Sequence, residues 1–383
     1  MNTFLSTFIF FYSVYGTAHV YAFLKVKYTF HPDVPESVSL GLFLALMMFS
    51  PSLMRFCSLR FSKRFSRTVA YVSYSWMALL LFFFSCGLIF DLYNLVLLAL
   101  GYTLQKNLDS LFIPGPHAFY IPLLLAIPLS IYSYYEATDL RTGKLILKTS
   151  KLPEEIRKLT VAHISDLHLG IMVKDEMLDK IAEEIQRAKP DIIVSTGDML
   201  EEEVDHVTHL SGKLKNLDAR LGKFAVTGNH DFFTDVSHSV KFMKDSGFKP
   251  LRGEGITVQN MINIAGIDDP LVKNTEDQGG RTSEKEILSR LPSGMFTLLL
   301  KHRPEIEKES LGMFDLQLSG HTHGGQFMPI RFILKLLYGY ESGYRSLAKG
   351  SAIYVSRGAG TACAPIRFLA PPEITFIEII KEQ

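Results

Sequence analysis

Eight residues of this 383-residue chain have side chains suited to metal and phosphate chemistry, and they fall in five short groups: Asp166 with His168, Asp198, Asn229 with His230, His302, and His321 with His323. Carboxylates, imidazoles and an amide, without thiolates, suit a borderline-to-hard divalent ion such as manganese, iron or zinc. One ion does not need so many donors. Asp198 can bridge two, and a metal pair about 3.5–4 Å apart clamps the attacking and leaving oxygens of an in-line displacement at phosphorus. The reaction these residues imply is hydrolysis of a phosphoester or pyrophosphate bond. Taken singly, each group reads as an ordinary turn or a surface histidine; their common placement in the chain gives the chemical reading its weight.

Each group follows a short apolar run. The runs are LTVAHIS (159–165), DIIVSTG (191–197), KFAVTG (223–228), TLLLK (297–301) and FDLQLSG (314–320). Amphipathic stretches lie between them, including a helix expected over 175–188, where Met177, Leu178, Ile181 and Ile185 keep a helical period, and another over 204–217. This alternation is the pattern of a layered α/β domain, whose ligand crevice forms at the carboxyl ends of its strands. Asp166 with His168, and His321 with His323, are two residues apart, so an extended backbone would turn both members of each pair to one side. Glycines at 197, 228, 320, 324 and 325 suit tight turns there.

The groups stand in the chain as SDLH (165–168), GD (197–198), GNHD (228–231), LKHRP (300–304) and SGHTHGGQ (319–326), and in this order they resemble the calcineurin-like metallophosphoesterase superfamily. The resemblance covers roughly residues 145–383. Its tail, YVSRGAGTACAPIRFLAPPEITFIEI, is similar to that of the membrane-anchored bacterial branch. It implies a four-layer α-β-β-α sandwich with a dimetal site at one edge. By the same resemblance Asp166, His168 and His323 hold the first metal, Asn229, His302 and His321 the second, and Asp198 both. His230 is no ligand but the acid or charge stabiliser at the leaving oxygen, and the nucleophile is a hydroxide held by the metals. Many members carry a second acid three residues after the bridging aspartate. Here that position is Glu201, in the acidic run 201–203, which reads as a solvated helix start. Arg303 and Arg357 offer planar forks to a substrate phosphate, or are structural ion-pairing arginines.

Charge divides the chain. Residues 1–138 hold 13 of the 79 charged side chains, about 9% of that stretch against about 27% of the remainder, so the first third and the rest suit different solvents. About four helices are expected there, over 3–24, 38–54, 68–90 and 118–135. The stretch 91–104 is apolar but opens on Asp91 and is short, which fits a helix extension or interfacial segment better than a fifth crossing. With four crossings, the basic cluster of Arg55, Arg60, Lys63, Arg64 and Arg67 lies on the same side as Arg141, Lys144, Lys148 and Lys151. The positive-inside rule makes that side cytoplasmic. His19, and Asp91 just past the third expected span, are the only ionisable candidates for a transport pathway, so the helices read as an anchor.

A formal net charge of +1 implies no basic face for nucleic acid. Cys57, Cys86 and Cys363 make neither a disulfide framework nor a CxxC zinc pattern. The sequence therefore describes a multi-pass protein of an inner or plasma membrane, with a transmembrane region (1–138) and a cytoplasmic phosphoesterase domain (145–383). Two divalent ions are its cofactors. A phosphoester is its substrate, with a lipid-linked one among the candidates. The competing reading is a membrane scaffold or sensor with a non-catalytic domain of the same fold; oligomeric state is left open.

Overall fold

The computed structural model describes residues 3–170, 175–201, 209–274, 282–339, 341–362 and 364–382. The chain divides into two units, Met1–Tyr134 and Tyr135–Gln383.

The first unit is helical: α1 (Thr3–Phe30), α2 (Val34–Arg60), α3 (Lys63–Leu104) and α4 (Gly115–Glu136), the last ending two residues into the second unit. Asp33 starts α2 through a capping box, its side chain accepting from Glu36 N–H while the Glu36 carboxylate accepts from Asp33 N–H. The Ser62 hydroxyl caps α3 by accepting from Phe65 N–H, and Gln105 ends it in the left-handed region at φ 52°. Residues 91–104 continue α3 without a break. Its 42 residues reach about 63 Å, twice a hydrocarbon core of about 30 Å. Among the described residues, Val34–Met54, Arg64–Leu104 and Asp109–Glu136 are long and apolar enough to cross a membrane.

The ionisable groups Asp91 and His19 of this unit have partners. Tyr21 Oη donates to Asp91 Oδ2 at 2.7 Å, and Lys25 Nζ donates to Asp91 Oδ1 at 2.5 Å. His19 Nε2 accepts from Trp76 Nε1 at 3.0 Å, and its Nδ1 donates to the Tyr15 carbonyl at 2.8 Å. Asp91 stands out in the sequence but its partner does not, because Lys25 falls just past the expected first span. Cys57 and Cys86 are free thiols, and Cys363 lies outside the described residues.

The second unit contains, in chain order, β1 (Arg141–Thr149), β2 (Lys158–Ile164), α5 (Asp175–Ala188), β3 (Ile192–Ser195), α6 (Leu210–Lys215), β4 (Lys223–Ala225), α7 (Asn229–Thr234), α8 (Val236–Asp245), β5 (Lys249–Pro250), β6 (Glu254–Val258), β7 (Ile262–Ile267), α9 (Glu284–Ser289), β8 (Thr297–Lys301), β9 (Leu316–Ser319), α10 (Met328–Tyr338), β10 (Gly343–Ser346), β11 (Ala352–Val355) and β12 (Glu373–Lys381). Two six-stranded sheets result, ordered β1-β12-β2-β3-β4-β5 and β10-β11-β9-β8-β7-β6.

All five apolar runs are strands. The helix expected over 175–188 is α5, whereas of 204–217 only α6 is a described helix, and residues 204–208 lie outside the description. Alternation assigns each strand residue to a layer. Leu159, Val161, Ile192, Val194, Leu298, Leu300, Leu316 and Leu318 fill the space between the sheets. Ala162, Ile164 and Ile193 turn outward onto Leu178, Ile181 and Ile185 of α5 and Leu210 and Leu214 of α6. Ala265 and Leu299 pack under Ile287 and Leu288 of α9. Helix, sheet, sheet and helix therefore form four layers. Burying each leucine fully contributes about 1.5–3 kcal/mol, which fixes the register that aims the strand ends.

Candidate metal centre

β2, β3 and β4 are parallel neighbours in one sheet, and β8, β9 and β11 in the other. Their carboxyl ends deliver Asp166 and His168, Asp198, Asn229 and His230, His302, and His321 and His323 to one buried locus. His168 Nε2 lies 3.0 Å from His323 Nε2 and 3.7 Å from Asp198 Oδ2. His323 Nε2 is 3.4 Å from Asp166 Oδ1. On the other side, His302 Nε2 lies 3.2 Å from Asp198 Oδ2, 3.1 Å from Asn229 Oδ1 and 3.2 Å from His321 Nδ1. Three sets of donors, Asp166–His168–His323, His168–Asp198–His230 and Asp166–Asp198–His302, each fall within a 4.8 Å span that an ion could occupy. All eight residues read from the sequence come together.

The backbone that aims them departs from expectation. Asp166, His168, Asp198, His321 and His323 have φ of 52°, 46°, 53°, 70° and 51°, so neither the DxH nor the HxH segment is extended. Left-handed turns, not strand alternation, bring each pair to a common point. Such conformations are costly for non-glycine residues and persist where surrounding structure enforces them. Two of the glycines serve close approach. A Cβ on Gly228 would stand 2.1 Å from Asp198 Oδ1, and one on Gly320 2.1 Å from Asp166 Oδ2.

Further groups hold the donors. Thr196 O accepts from His302 Nδ1 at 2.7 Å, which leaves the His302 Nε2 lone pair facing the centre. The Glu201 carboxylate does the same for His168 through Nδ1 and stands 3.5 Å from His230 Nδ1. Glu201 is therefore no solvated helix start. The side chain is four-fifths buried, and contact with two histidines from other strands draws it inward. Asp231 Oδ2 accepts from Asp198 N–H at 3.0 Å and Gly228 N–H at 2.8 Å. Arg367, wholly buried, donates through Nη1 to the carbonyls of His323, Arg357 and Ala370, with Nη2 3.1 Å from His323 Nδ1. Asp231 was visible in GNHD. Arg367 lies 44 residues from the histidine it supports, and no local pattern marks it. The forks of Arg303 and Arg357 are taken up by Asp269 and Glu373.

Electrostatics divide the imidazoles. Burial disfavours charge on His168, but Glu201, Asp198 and Asp166 outweigh it and raise its pKa to about 9. His302 is likewise buried, yet Asp198 and Asp166 raise it to about 10. Burial holds His321 and His323 well below the usual range, helped by His302 and Arg303 on the former and Arg367 on the latter. Burial would also raise Asp198, but His302 and His230 keep it well below the carboxylate range. Burial and the neighbouring Asp198 push Asp231 up to about 7. Carboxylate oxygens and imidazole nitrogens thus face one another and draw positive charge to their midst. A pair of divalent cations fits that donor set, with two protons on histidine in its place.

A family model for calcineurin-like phosphoesterases matches residues 159–325. An uncharacterized metallophosphoesterase of Aquifex aeolicus is 36% identical over 260 residues, covering 67% of this chain and 98% of its own length. One of Bacillus subtilis is 34% identical over 255 residues, 63% of this chain and 86% of the relative. A Danio rerio protein described as a transmembrane protein with metallophosphoesterase domain is 28% identical over 268 residues, 67% of this chain and 61% of the relative. The fold and site are those of a metal-dependent phosphoester hydrolase. The chain belongs to the calcineurin-like metallophosphoesterase family, whose members generally use two divalent metals, and its apolar helices associate it with a membrane.

Proposed function

We propose that the chain is a membrane-anchored two-metal phosphoesterase, in which Asp166, His168 and His323 hold one ion, Asn229, His302 and His321 the other, and Asp198 both. The observation that carries this reading is the convergence of five strand ends on one buried set of facing donors. When bound, such ions polarise a phosphoryl group and lower the pKa of water. The chain's own residues do the rest. Thr196 O and Glu201 fix the imidazole tautomers of His302 and His168. The backbone N–H groups of His230 and His321 hold the Asp198 and Asp166 carboxylates at 2.9 and 3.1 Å. His230, half-buried beside His168, supplies a proton to the leaving oxygen or stabilises its charge.

The apolar helices support a multi-pass reading, and the basic clusters at 55–67 and 141–151 favour a cytoplasmic catalytic unit. Anchoring concentrates amphiphiles near the site, which supports a lipid-linked phosphoester as substrate. The test is a metal-supplemented hydrolysis screen of mono- and diester reporters beside extracted lipids, with His230→Asn as comparison. The expected outcome is turnover lowered at least about a hundredfold in the variant. Equal rates would return the non-catalytic scaffold to contention, and cleavage of soluble diesters alone would reject the lipid substrate.

A further inference from the structure

The catalytic unit is apolar on the outside of its own active-site rim. From β1 onward, the described residues include Ile146 on β1 and six further exposed large apolar side chains: Phe233, Ile330, Phe332, Leu336, Tyr344 and Leu369. All six lie on segments that hold or adjoin the site. Phe233 belongs to α7, its ring 5.6 Å from that of His230. Leu369 follows Phe368, whose N–H donates to Gln326 O at 2.8 Å, and Tyr344 lies three residues beyond Glu341, whose carbonyl accepts from Thr322 at 2.6 Å.

The other three are on α10, which begins five residues after His323 and ends at Tyr338, against the His321 ring at 6.2 Å. At about 100° per residue, half-buried Arg331, Leu334 and Tyr338 fall within about 60° of one another and face the unit. Phe332 and Leu336, 63% and 86% exposed, lie about 40° apart on the far side, with exposed Lys335 at the border. An apolar helix face edged by a flexible ammonium is the form of an interfacial helix, in which the rings and branched chains enter the acyl boundary and the cation reaches lipid phosphates. The chain itself keeps such a partner within reach. α4 ends at Glu136 and β1 begins at Arg141, so four residues join this unit to a helix long and apolar enough to cross a membrane.

We propose that α10 docks on a phospholipid surface and presents the adjoining metal centre to phosphate groups at the lipid–water boundary. What is then hydrolysed rests on the phosphoesterase reading; the docking does not. To test it, the full chain with Cys57→Ser, Cys86→Ser and Cys363→Ser is placed in nanodiscs of phosphatidylcholine and phosphatidylglycerol. An environment-sensitive fluorophore is attached at Leu336→Cys or, as control, at Lys241→Cys, an exposed position on α8. Lipids brominated along their acyl chains are expected to quench the position-336 probe at least about twofold more than the control, and Phe332→Asp in the same chain to abolish the excess. Equal quenching at both positions overturns the proposal. So does a dimer cross-linked through position 336 without lipid quenching, which would give the face to a second copy. Hydrolysis of a soluble diester by the unlabelled chain reads the phosphoesterase assignment separately, so the two can fail independently.

Discussion

Ionisable side chains are treated in opposite ways in the helical unit and in the metal centre. Around Asp91, donors meet acceptors: an ammonium and a phenol on one carboxylate, with His19 accepting from an indole and donating to a carbonyl. Around Asp198, acceptors meet acceptors: carboxylate oxygens and imidazole lone pairs converge on a common space. The first arrangement is complete as it stands and is structural. The second needs positive charge in its midst, from protons on His168 and His302 or from cations, and that demand points to what the site is for. Ionisable residues in an apolar region therefore announce function when like ligand atoms crowd one space, not when each donor already meets its acceptor.

Removing the shared carboxylate tests this contrast hardest. Asp198→Asn keeps a side chain of the same shape, and kcat/KM should fall by at least about 10³-fold, about 4 kcal/mol, with near-ultraviolet circular dichroism unchanged. A rate within tenfold of the parent would break the comparison. Next in size is the effect of the cation on folding. At a hundred times its dissociation constant, a divalent metal stabilises the chain by about 2.7 kcal/mol, which raises Tm by several degrees in a scan against a chelated sample. No shift would mean that the facing donors do not need a cation.

Proton linkage sharpens the same point. His168 and His302, raised to about 9 and 10, are protonated in the metal-free protein at pH 8. Metal uptake there should release close to two protons, read by calorimetry in buffers of different ionisation enthalpy. Because both folded pKa values exceed the unfolded value of about 6.5, their contribution to metal-free stability is full below about pH 6.5 and is lost as pH rises through 9–10. Metal affinity should climb over the same interval. Smaller still is Glu201→Gln, expected to weaken metal binding about 10–100-fold through His168. Smallest is Asp91→Asn. It leaves Lys25 partly uncompensated and costs about 1 kcal/mol in detergent denaturation, with hydrolysis of a soluble reporter unaltered.

The layered fold and the residues that meet at its strand ends were legible because strand runs and chemistry-bearing residues are adjacent in the chain. What the sequence concealed depends on groups that meet only after folding. Glu201 resembles any exposed acid until His168 and His230 arrive from two other strands. The left-handed turns at Asp166 and His321 cannot be read from residue type, since neither is glycine. Gly228 and Gly320 suggested turns, but a carboxylate is what occupies the space a Cβ would need. Arg367 required knowledge of where the tail loop folds back. The helical unit was legible in its spans and less so in the single 42-residue course of α3, because Asp91 looked like a boundary until Lys25 and Tyr21 satisfied it.

The position of β12 has a consequence for how the catalytic unit assembles. It lies between β1, with which it runs parallel, and β2, with which it runs antiparallel, and β1 has no other neighbour among the described strands. The five strands that carry the donors are all synthesised earlier, so the site can condense while β1 waits unpaired for a partner more than two hundred residues downstream. A chain cut before Glu373 would not lose a dispensable border: it would open a slot inside the sheet, releasing one strand and uncovering the backbone of another for intermolecular pairing.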